Sequence, residues 1–135
     1  MGSRIATALI LNGYEVVLKE VTEKFLDAGT GRVKGSVKKG KLTQEKFAKT
    51  TSRLKGVLDY EWFKDVDMVI EAVTENVSLK QQIFSDLEKY CSPNCIFASN
   101  TSTVDLDLIG EKTKSHDRIT GVRFTIGRNV RRQLF

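Results

Sequence analysis

The sequence is poor in the residues that mark specialised chains. Its 135 residues include one proline, two cysteines and one histidine. One proline excludes collagen-like and proline-rich disordered chains, and two cysteines exclude a disulfide-stabilised scaffold. No apolar run approaches the roughly 18 residues that a membrane-spanning helix needs. With 40% hydrophobic and 29% charged residues, the composition is that of one ordinary globular domain.

Metal and histidine chemistry has little support. His116 stands alone in a polar loop, a setting typical of a solvent-exposed side chain. Cys91 and Cys95 lack the further ligands that zinc requires, so no metal site is predicted. Neither end carries a secretion or peroxisomal signal, so we expect a reducing compartment, cytoplasmic by default, and two free thiols.

The positive charge is unevenly distributed. Residues 31–55 carry nine basic residues and one acid, whereas residues 56–117 carry five basic and twelve acidic ones. Residues 118–135 contain five arginines and no acid. Because the acidic segment cancels the basic one, nucleic-acid binding is disfavoured. The segment 31–55 is a candidate surface for an anionic small molecule, with a solvated charged face as the alternative.

Helical and strand patterns alternate along the chain. The predicted helices span 2–12, 22–30, from 43 to about 54, from 76 to before 93, and 105–109. The predicted strands span 15–19, 56–58, 67–73, 95–99 and 119–124. The run 67–73 is almost continuously apolar, which is typical of a strand buried on both faces of a parallel sheet. The alternation predicts an α/β fold with helices on both faces of that sheet.

Local features predict where helices begin and end. Asn76 is expected to cap the helix that starts there. Gly13 is expected to end the first helix, because glycine accepts a positive φ without a Cβ clash. Gly29 and Gly31 are expected to end the second helix. Ser102 or Thr103 is expected to cap the short helix that follows the strand at 95–99.

Three segments in order carry a resemblance to a known family. They are MVIEAVTE at 68–75, NVSLKQQIF at 76–84 and SNTST at 99–103. Together they resemble the NAD-binding domain of L-3-hydroxyacyl-CoA dehydrogenase, an enzyme of fatty-acid β-oxidation, and most of all its plant-type peroxisomal multifunctional form. The resemblance covers residues 1 to about 124. It implies a Rossmann-like doubly wound parallel sheet, NAD as cofactor, a 3-hydroxyacyl-CoA substrate and a peroxisomal location.

The sequence departs from that family at both ends. The family begins with a strand and a G-x-G-x-x-G turn, whereas Met1 and Gly2 resemble only the last two positions of that turn. The family's catalytic histidine is replaced by Arg123, and no glutamate follows to orient a base. We therefore expect a partial NAD-binding domain over 1–124, lacking the first strand and the C-terminal helical domain. An unrelated Arg-rich tail is expected over 125–135, and the chain is expected to be inactive alone.

The resemblance also assigns roles around the cofactor. Glu20 stands 18 residues after Gly2, a spacing that suits hydrogen bonds to the adenosine ribose and favours NAD over NADP. A solvent-exposed charge at a strand end is the alternative. Ser102 is placed near the nicotinamide and the substrate 3-hydroxyl, and Asn100 shapes the same pocket, both assisting catalysis. The other implied cofactor contacts are Met1, Gly2, Val73, Thr74, Glu75 and Lys80.

The resemblance suggests that the basic segment binds the phosphates of coenzyme A. Eight of its nine cationic side chains form the candidate set: Lys34, Lys38, Lys39, Lys41, Lys46, Lys49, Arg53 and Lys55. Phe47, the only aromatic residue of the segment, is predicted to be core, which disfavours base stacking. Two other functions stay open: a non-catalytic basic module for RNA or acidic partners, and a truncated regulatory product that associates with the full-length enzyme.

Overall fold

The alternation of helices and strands is present in the structure, a computed structural model that describes residues 2–101 and 103–122. The helices are α1 Gly2–Leu11, α2 Glu23–Lys39, α3 Gln44–Thr51, α4 Val77–Tyr90 and α5 Leu106–Gly110. The strands are β1 Val16–Lys19, β2 Leu54–Val57, β3 Met68–Glu71, β4 Ile96–Ser99 and β5 Ile119–Gly121. The predicted α/β class is therefore confirmed.

All strand pairs in the described residues are parallel. β1 pairs with β2, with Val16 opposite Leu54. β3, β4 and β5 form a second sheet with β4 in the middle, and Met68 lies opposite Ile96. Parallel neighbours need crossover connections, which here contain helices as the sequence predicted. Within the described residues, β1 and β3 each have a strand partner on one side only.

The chain divides between Trp62 and Phe63 into two compact units. In the first unit, α1 and α2 meet in a buried apolar cluster of Ala6, Ile10, Val33 and Val37. Phe47, Val16 and Leu54 pack against this cluster, so the prediction that Phe47 belongs to the core is confirmed. The helices thereby cover one face of β1 and β2.

The second unit has its own aromatic core. The rings of Phe84 on α4 and Phe97 on β4 lie 5.8 Å apart between centroids and are fully buried. The Arg118 guanidinium lies 4.6 Å from the Phe97 ring centroid. It also donates to the Ser92 and Cys95 carbonyls at 2.8 and 3.1 Å. These contacts fix the turn that leads from α4 into β4.

Helix α2 is longer than predicted. It was expected to end at Gly29 and Gly31, but it continues to Lys39. Buried Gly29, Val33 and Val37 recur at every fourth residue, so they form one apolar stripe facing the core. Burial of that stripe outweighs the roughly 1 kcal/mol that each interior glycine costs a helix.

Other boundaries differ by a few residues. α3 ends at Thr51 rather than near Leu54, because Leu54 begins β2 and pairs with β1. The cap of α5 is Asp105, whose side chain accepts from the N–H of Asp107, and not Thr103. The carboxylate lies next to the first turn, where it satisfies a free N–H. Ser102, the other predicted cap, lies outside the described residues.

Two predicted helix ends are confirmed. Gly13 adopts a φ of +88° after α1, the left-handed conformation that favours glycine. Asn76 caps α4, its side chain accepting from the Leu79 N–H at 3.0 Å. Gly13 follows α1 and Asn76 precedes α4. At both positions the chemistry of the residue itself decides the backbone conformation.

The two cysteines are buried, and the histidine lies at the surface. Cys91 and Cys95 are free, buried thiols, and burial raises the pKa of Cys91 to about 12. His116 is exposed. The described residues contain no cluster of three or more side chains that could hold a metal ion. No helix among them has the length and apolar character needed to cross a membrane.

Candidate cofactor-binding site

A buried ion pair lies where β3 ends. Lys80 Nζ donates to Glu71 Oε1 at 2.7 Å, and their side chains are 0% and 1% exposed. Glu71 Oε1 also accepts from the Val73 N–H at 2.7 Å, and Oε2 accepts from the Ser99 hydroxyl at 2.6 Å. Buried charges are tolerated only when paired and hydrogen-bonded in this way. The network therefore ties the carboxyl ends of β3 and β4 to the first turn of α4.

A second carboxylate lies in the loop after β3. Glu75 Oε2 accepts from the hydroxyls of Thr101 and Thr103 at 2.6 and 2.9 Å. Its Oε1 lies 3.6 Å from Lys80 Nζ, and 43% of the side chain is exposed. The hydrogen bonds from Thr101 and then Thr103 lower the pKa of Glu75. The result is an ionised carboxylate held in place at the surface and open to a ligand.

Backbone bonds shape the two loops at this edge. The Asn100 N–H donates to the Glu71 carbonyl at 2.8 Å, which extends the β3–β4 pairing by one residue. The Asn76 N–H donates to the Thr74 carbonyl at 2.7 Å, closing a tight turn before α4. Ligands of open parallel sheets bind outside the carboxyl ends of strands, which is where these loops lie.

In the first unit, an acid follows β1. The Glu20 N–H donates to the Val57 carbonyl at 3.2 Å, so the chain here remains paired beyond the strand. A Cβ built on Gly29 would lie 3.9 Å from Glu20 Oε1. Leu18 Cδ2 would lie nearer, at 3.4 Å, so buried Gly29 lets α2 pack beside the end of β1. A partly exposed carboxylate at a strand end can accept hydrogen bonds from a ribose, which fits the predicted cofactor.

The same unit has a basic cleft between α1 and α2, of about 250 Å³. It is lined by Ser3, Arg4, Arg32, Gly35, Ser36 and Lys39. Three cations and two hydroxyls in one cleft suit a phosphate-bearing ligand. Two members of the predicted basic set make internal contacts instead. Arg53 donates to the Ile10 carbonyl at 3.0 Å, and Lys55 Nζ lies 3.1 Å from the Trp62 ring centroid.

The predicted site residues are thus found in two groups. Gly2 and Glu20 lie in the first unit, at the start of α1 and the end of β1. The edge in the second unit holds Val73, Thr74, Glu75, Lys80 and Asn100. Met1, Ser102 and Arg123 lie outside the described residues. The roles assigned to these side chains stay predictions.

Sequence reasoning missed Glu71 and Ser99. A signal for the ion pair was present, because Lys80, Phe84 and Leu87 recur at helical spacing and place Lys80 on the buried face of α4. A buried lysine requires a nearby carboxylate. The fully buried Lys80 forms ion pairs with Glu71 and Glu75. Its direct contact with a cofactor stays a prediction.

Known sequences resemble the chain throughout this region. The family model described as 3-hydroxyacyl-CoA dehydrogenase, NAD binding domain, matches residues 1–129. The chain is 70% identical over 128 residues to the glyoxysomal fatty acid beta-oxidation multifunctional protein of Brassica napus. It is equally similar to the peroxisomal multifunctional protein of Arabidopsis thaliana. Each alignment covers 92% of this chain, and the chain spans 18% of the length of each plant protein.

Solved structures agree with the sequence relatives. The 3-hydroxybutyryl-CoA dehydrogenase of Escherichia coli matches with a TM-score of 0.84 and 29% identity, over 92% of this chain and 27% of that one. The (S)-3-hydroxybutyryl-CoA dehydrogenase of Ralstonia eutropha matches with a TM-score of 0.84 and 35% identity, over 93% and 46%. These matches confirm a Rossmann-like α/β fold with parallel strands. The chain belongs to the family of NAD-binding domains of 3-hydroxyacyl-CoA dehydrogenases.

Proposed function

We propose that this chain is the cofactor-holding part of a dehydrogenase that transfers a hydride between a 3-hydroxyacyl-CoA and NAD in peroxisomal fatty-acid β-oxidation. The observation that carries the proposal is the pair of carboxylate networks at the carboxyl ends of β3 and β4. They sit where a parallel sheet binds its ligands. Family membership supports NAD as the ligand. The names of the plant relatives support the pathway and the compartment.

The adenosine half of the cofactor is assigned to the first unit. Glu20 would accept hydrogen bonds from the ribose hydroxyls, and its negative charge would repel the extra phosphate of NADP. Gly2, at the start of α1, would allow close packing near the pyrophosphate, whose charge the free N–H groups of a helix start attract. The resemblance assigns Met1 to the same contact.

The nicotinamide half is assigned to the second unit. The backbone of Val73 and Thr74 would pass the nicotinamide ribose, and Glu75 would accept from its hydroxyls. Lys80 would support this contact through its ion pairs with both carboxylates. Asn100 and Ser102 would shape the pocket for the substrate 3-hydroxyl.

Hydride transfer also requires a group that accepts the hydroxyl proton. NAD, when bound, supplies the hydride acceptor. The position that carries the family's histidine is Arg123 here, and a guanidinium has no lone pair with which to accept a proton. Losing a positioned base typically costs on the order of 10²- to 10⁴-fold in rate. The 135-residue chain alone is therefore proposed to bind cofactor without turning over substrate.

The acyl-CoA substrate would bind in part through the phosphates of its coenzyme A. The cleft with Arg4, Arg32 and Lys39 is a candidate surface for these phosphates, because it brings three cations together. The same cleft also suits acidic partners, so a non-catalytic basic module is the second candidate function. A third proposal is that the chain is a regulatory product that associates with the full-length enzyme. Co-purification with that enzyme tests it.

Cofactor choice tests the proposal. We expect the wild-type chain to bind NADH at least about tenfold more tightly than NADPH, because Glu20 favours the free ribose and repels the 2′-phosphate. Glu20→Ser should weaken NADH binding by roughly tenfold, the usual effect of losing hydrogen bonds to a charged group, and should abolish the preference. Isothermal titration calorimetry with both nucleotides measures each affinity.

The control is Glu23→Ser, which removes an exposed acid from the first turn of α2. It changes the net charge equally but leaves the ribose acceptor intact, so NADH affinity should stay at the wild-type value. Equal losses in the two variants, or no preference for NADH in the wild type, would contradict the proposed adenosine site.

A further inference from the structure

Two threonines from the loop after β4 donate to the same oxygen of a surface carboxylate. Thr101 Oγ1 and Thr103 Oγ1 lie 2.6 and 2.9 Å from Glu75 Oε2. Glu75 comes from the loop after β3, so these hydrogen bonds join two loops that are 26 and 28 residues apart in sequence. The other oxygen, Oε1, points to Lys80 Nζ at 3.6 Å.

This geometry leaves one oxygen of Glu75 for a ligand. Two donors on Oε2 restrict the rotation of the carboxylate, and hydrogen bonds to an ionised acceptor are shorter and stronger than neutral ones. Lys80 faces Oε1 from α4, but Glu71 on β3 shares the charge of that lysine at 2.7 Å. Oε1 is therefore the oxygen with acceptor capacity to spare, on a side chain that is 43% exposed.

We propose that Thr101 and Thr103 are positioning residues, which hold the Glu75 carboxylate so that Oε1 accepts a hydrogen bond from a ribose hydroxyl of the bound dinucleotide. The inference rests on the proposed NAD-binding function. It adds two residues to the site that neither act on the substrate nor touch the cofactor. Their effect passes through Glu75 alone.

The two threonines differ in a way that guides the experiment. The Thr101 hydroxyl also accepts from the Val104 N–H at 3.1 Å, so its removal would disturb the loop backbone. Thr103 is exposed, and valine matches its shape without the hydroxyl. Thr103→Val is therefore the cleaner variant, and Thr103→Ser restores the donor.

Calorimetric titration with NADH gives the first readout. Thr103→Val should bind NADH about three- to tenfold more weakly than the wild type, because a carboxylate that is free to rotate makes a weaker hydrogen bond to the ribose. Thr103→Ser should bind as the wild type does. A matched control is Thr51→Val on α3, whose hydroxyl donates to the Phe47 carbonyl, and this variant should leave NADH affinity unchanged.

The second readout separates positioning from a structural effect. The hydrogen bonds of Thr101 and Thr103 lower the pKa of Glu75, so Thr103→Val should raise that pKa toward its ordinary value of 4.5. An NMR titration of the Glu75 carboxyl carbon in the free chain measures this shift. In a Glu75→Gln background, Thr103→Val should have no further effect on NADH affinity, because the two changes remove one interaction.

The outcomes distinguish the two proposals. If the wild type binds NADH and Thr103→Val binds it equally well, the positioning inference is wrong while the proposed function stands. A further loss from Thr103→Val in the Glu75→Gln background would overturn the inference in the same way. If the wild type does not bind NADH at all, the proposed function falls and the inference falls with it.

Discussion

At the scale of single residues, the Glu71–Lys80 pair is the most consequential feature. Both side chains are removed from solvent, and Glu71 has protein donors on both oxygens. Such a pair contributes little net stability compared with apolar residues of the same volume. Its value lies in geometry, because it sets the position of the Val73 N–H and of Ser99 at the ends of two strands. Removing either charged side chain leaves the other as an uncompensated buried charge.

We predict that Lys80→Met lowers the free energy of unfolding by about 3–5 kcal/mol, the usual cost of leaving a buried carboxylate without its counter-ion. Chemical unfolding in urea, followed by circular dichroism at neutral pH, measures the difference. The double variant Lys80→Met with Glu71→Leu should lose less than the single variant, because no orphaned charge remains.

A surface ion pair on the same helix provides the control. Lys89 lies 4.0 Å from Asp86, and its side chain is 73% exposed. Lys89→Met should change stability by less than about 1 kcal/mol. Equal effects of Lys80→Met and Lys89→Met would show that the buried network does not have the role assigned to it.

The residue scale also shows where sequence reasoning ends. Glu75 and Lys80 were identified through a resemblance, and the structure brings them within 3.6 Å of each other. Ser99 and the two threonines could not be paired with their carboxylates from sequence, because each partner lies 26 to 28 residues away. Such contacts depend on the order of strands in the sheet, which local patterns do not contain.

At the scale of elements, two helix ends were predicted correctly from local chemistry, and the end of α2 was not. The cap at Asn76 and the turn at Gly13 depend on neighbouring residues only, and both are confirmed. The extent of α2 depended on burial against α1 and β1, and glycine propensity gave the wrong end. Tertiary packing overrides propensity in this way wherever one apolar stripe continues through poor helix formers.

The glycines of α2 allow a direct test of this explanation. A Cβ built on Gly31 meets no other atom within 4 Å, and the residue lies inside a helix. Gly31→Ala should therefore raise the free energy of unfolding by about 0.5–1 kcal/mol, the difference in helix propensity between the two residues. Thermal unfolding followed by circular dichroism gives the change in Tm.

Gly13 provides the opposite case. Its φ of +88° is unfavourable for a residue with a Cβ, so Gly13→Ala should destabilise the chain by about 1 kcal/mol or more, although it removes the same glycine entropy. A loss of stability in Gly31→Ala would mean that α2 does not continue through this position as described.

At the scale of the whole molecule, each compact unit holds its own group of proposed cofactor contacts. The first unit has Glu20, Gly2 and the basic cleft, and the second has the Glu71 and Glu75 networks. β1 and β3 each have a described strand partner on one side only, and such edges favour association with another strand. The division into residues 1–124 and a tail over 125–135 stays a prediction, since the boundary lies outside the described residues.

The central claim is that the chain binds NAD through the residues that the resemblance assigns. An NMR titration of the ¹⁵N-labelled chain with NAD tests it most directly. We predict saturable shifts at the amides of Gly2, Glu20 and residues 73–75, together with Asn100 and Thr101. Shifts confined to the cleft of Arg4, Arg32 and Lys39, or no saturable shifts at all, would contradict the claim.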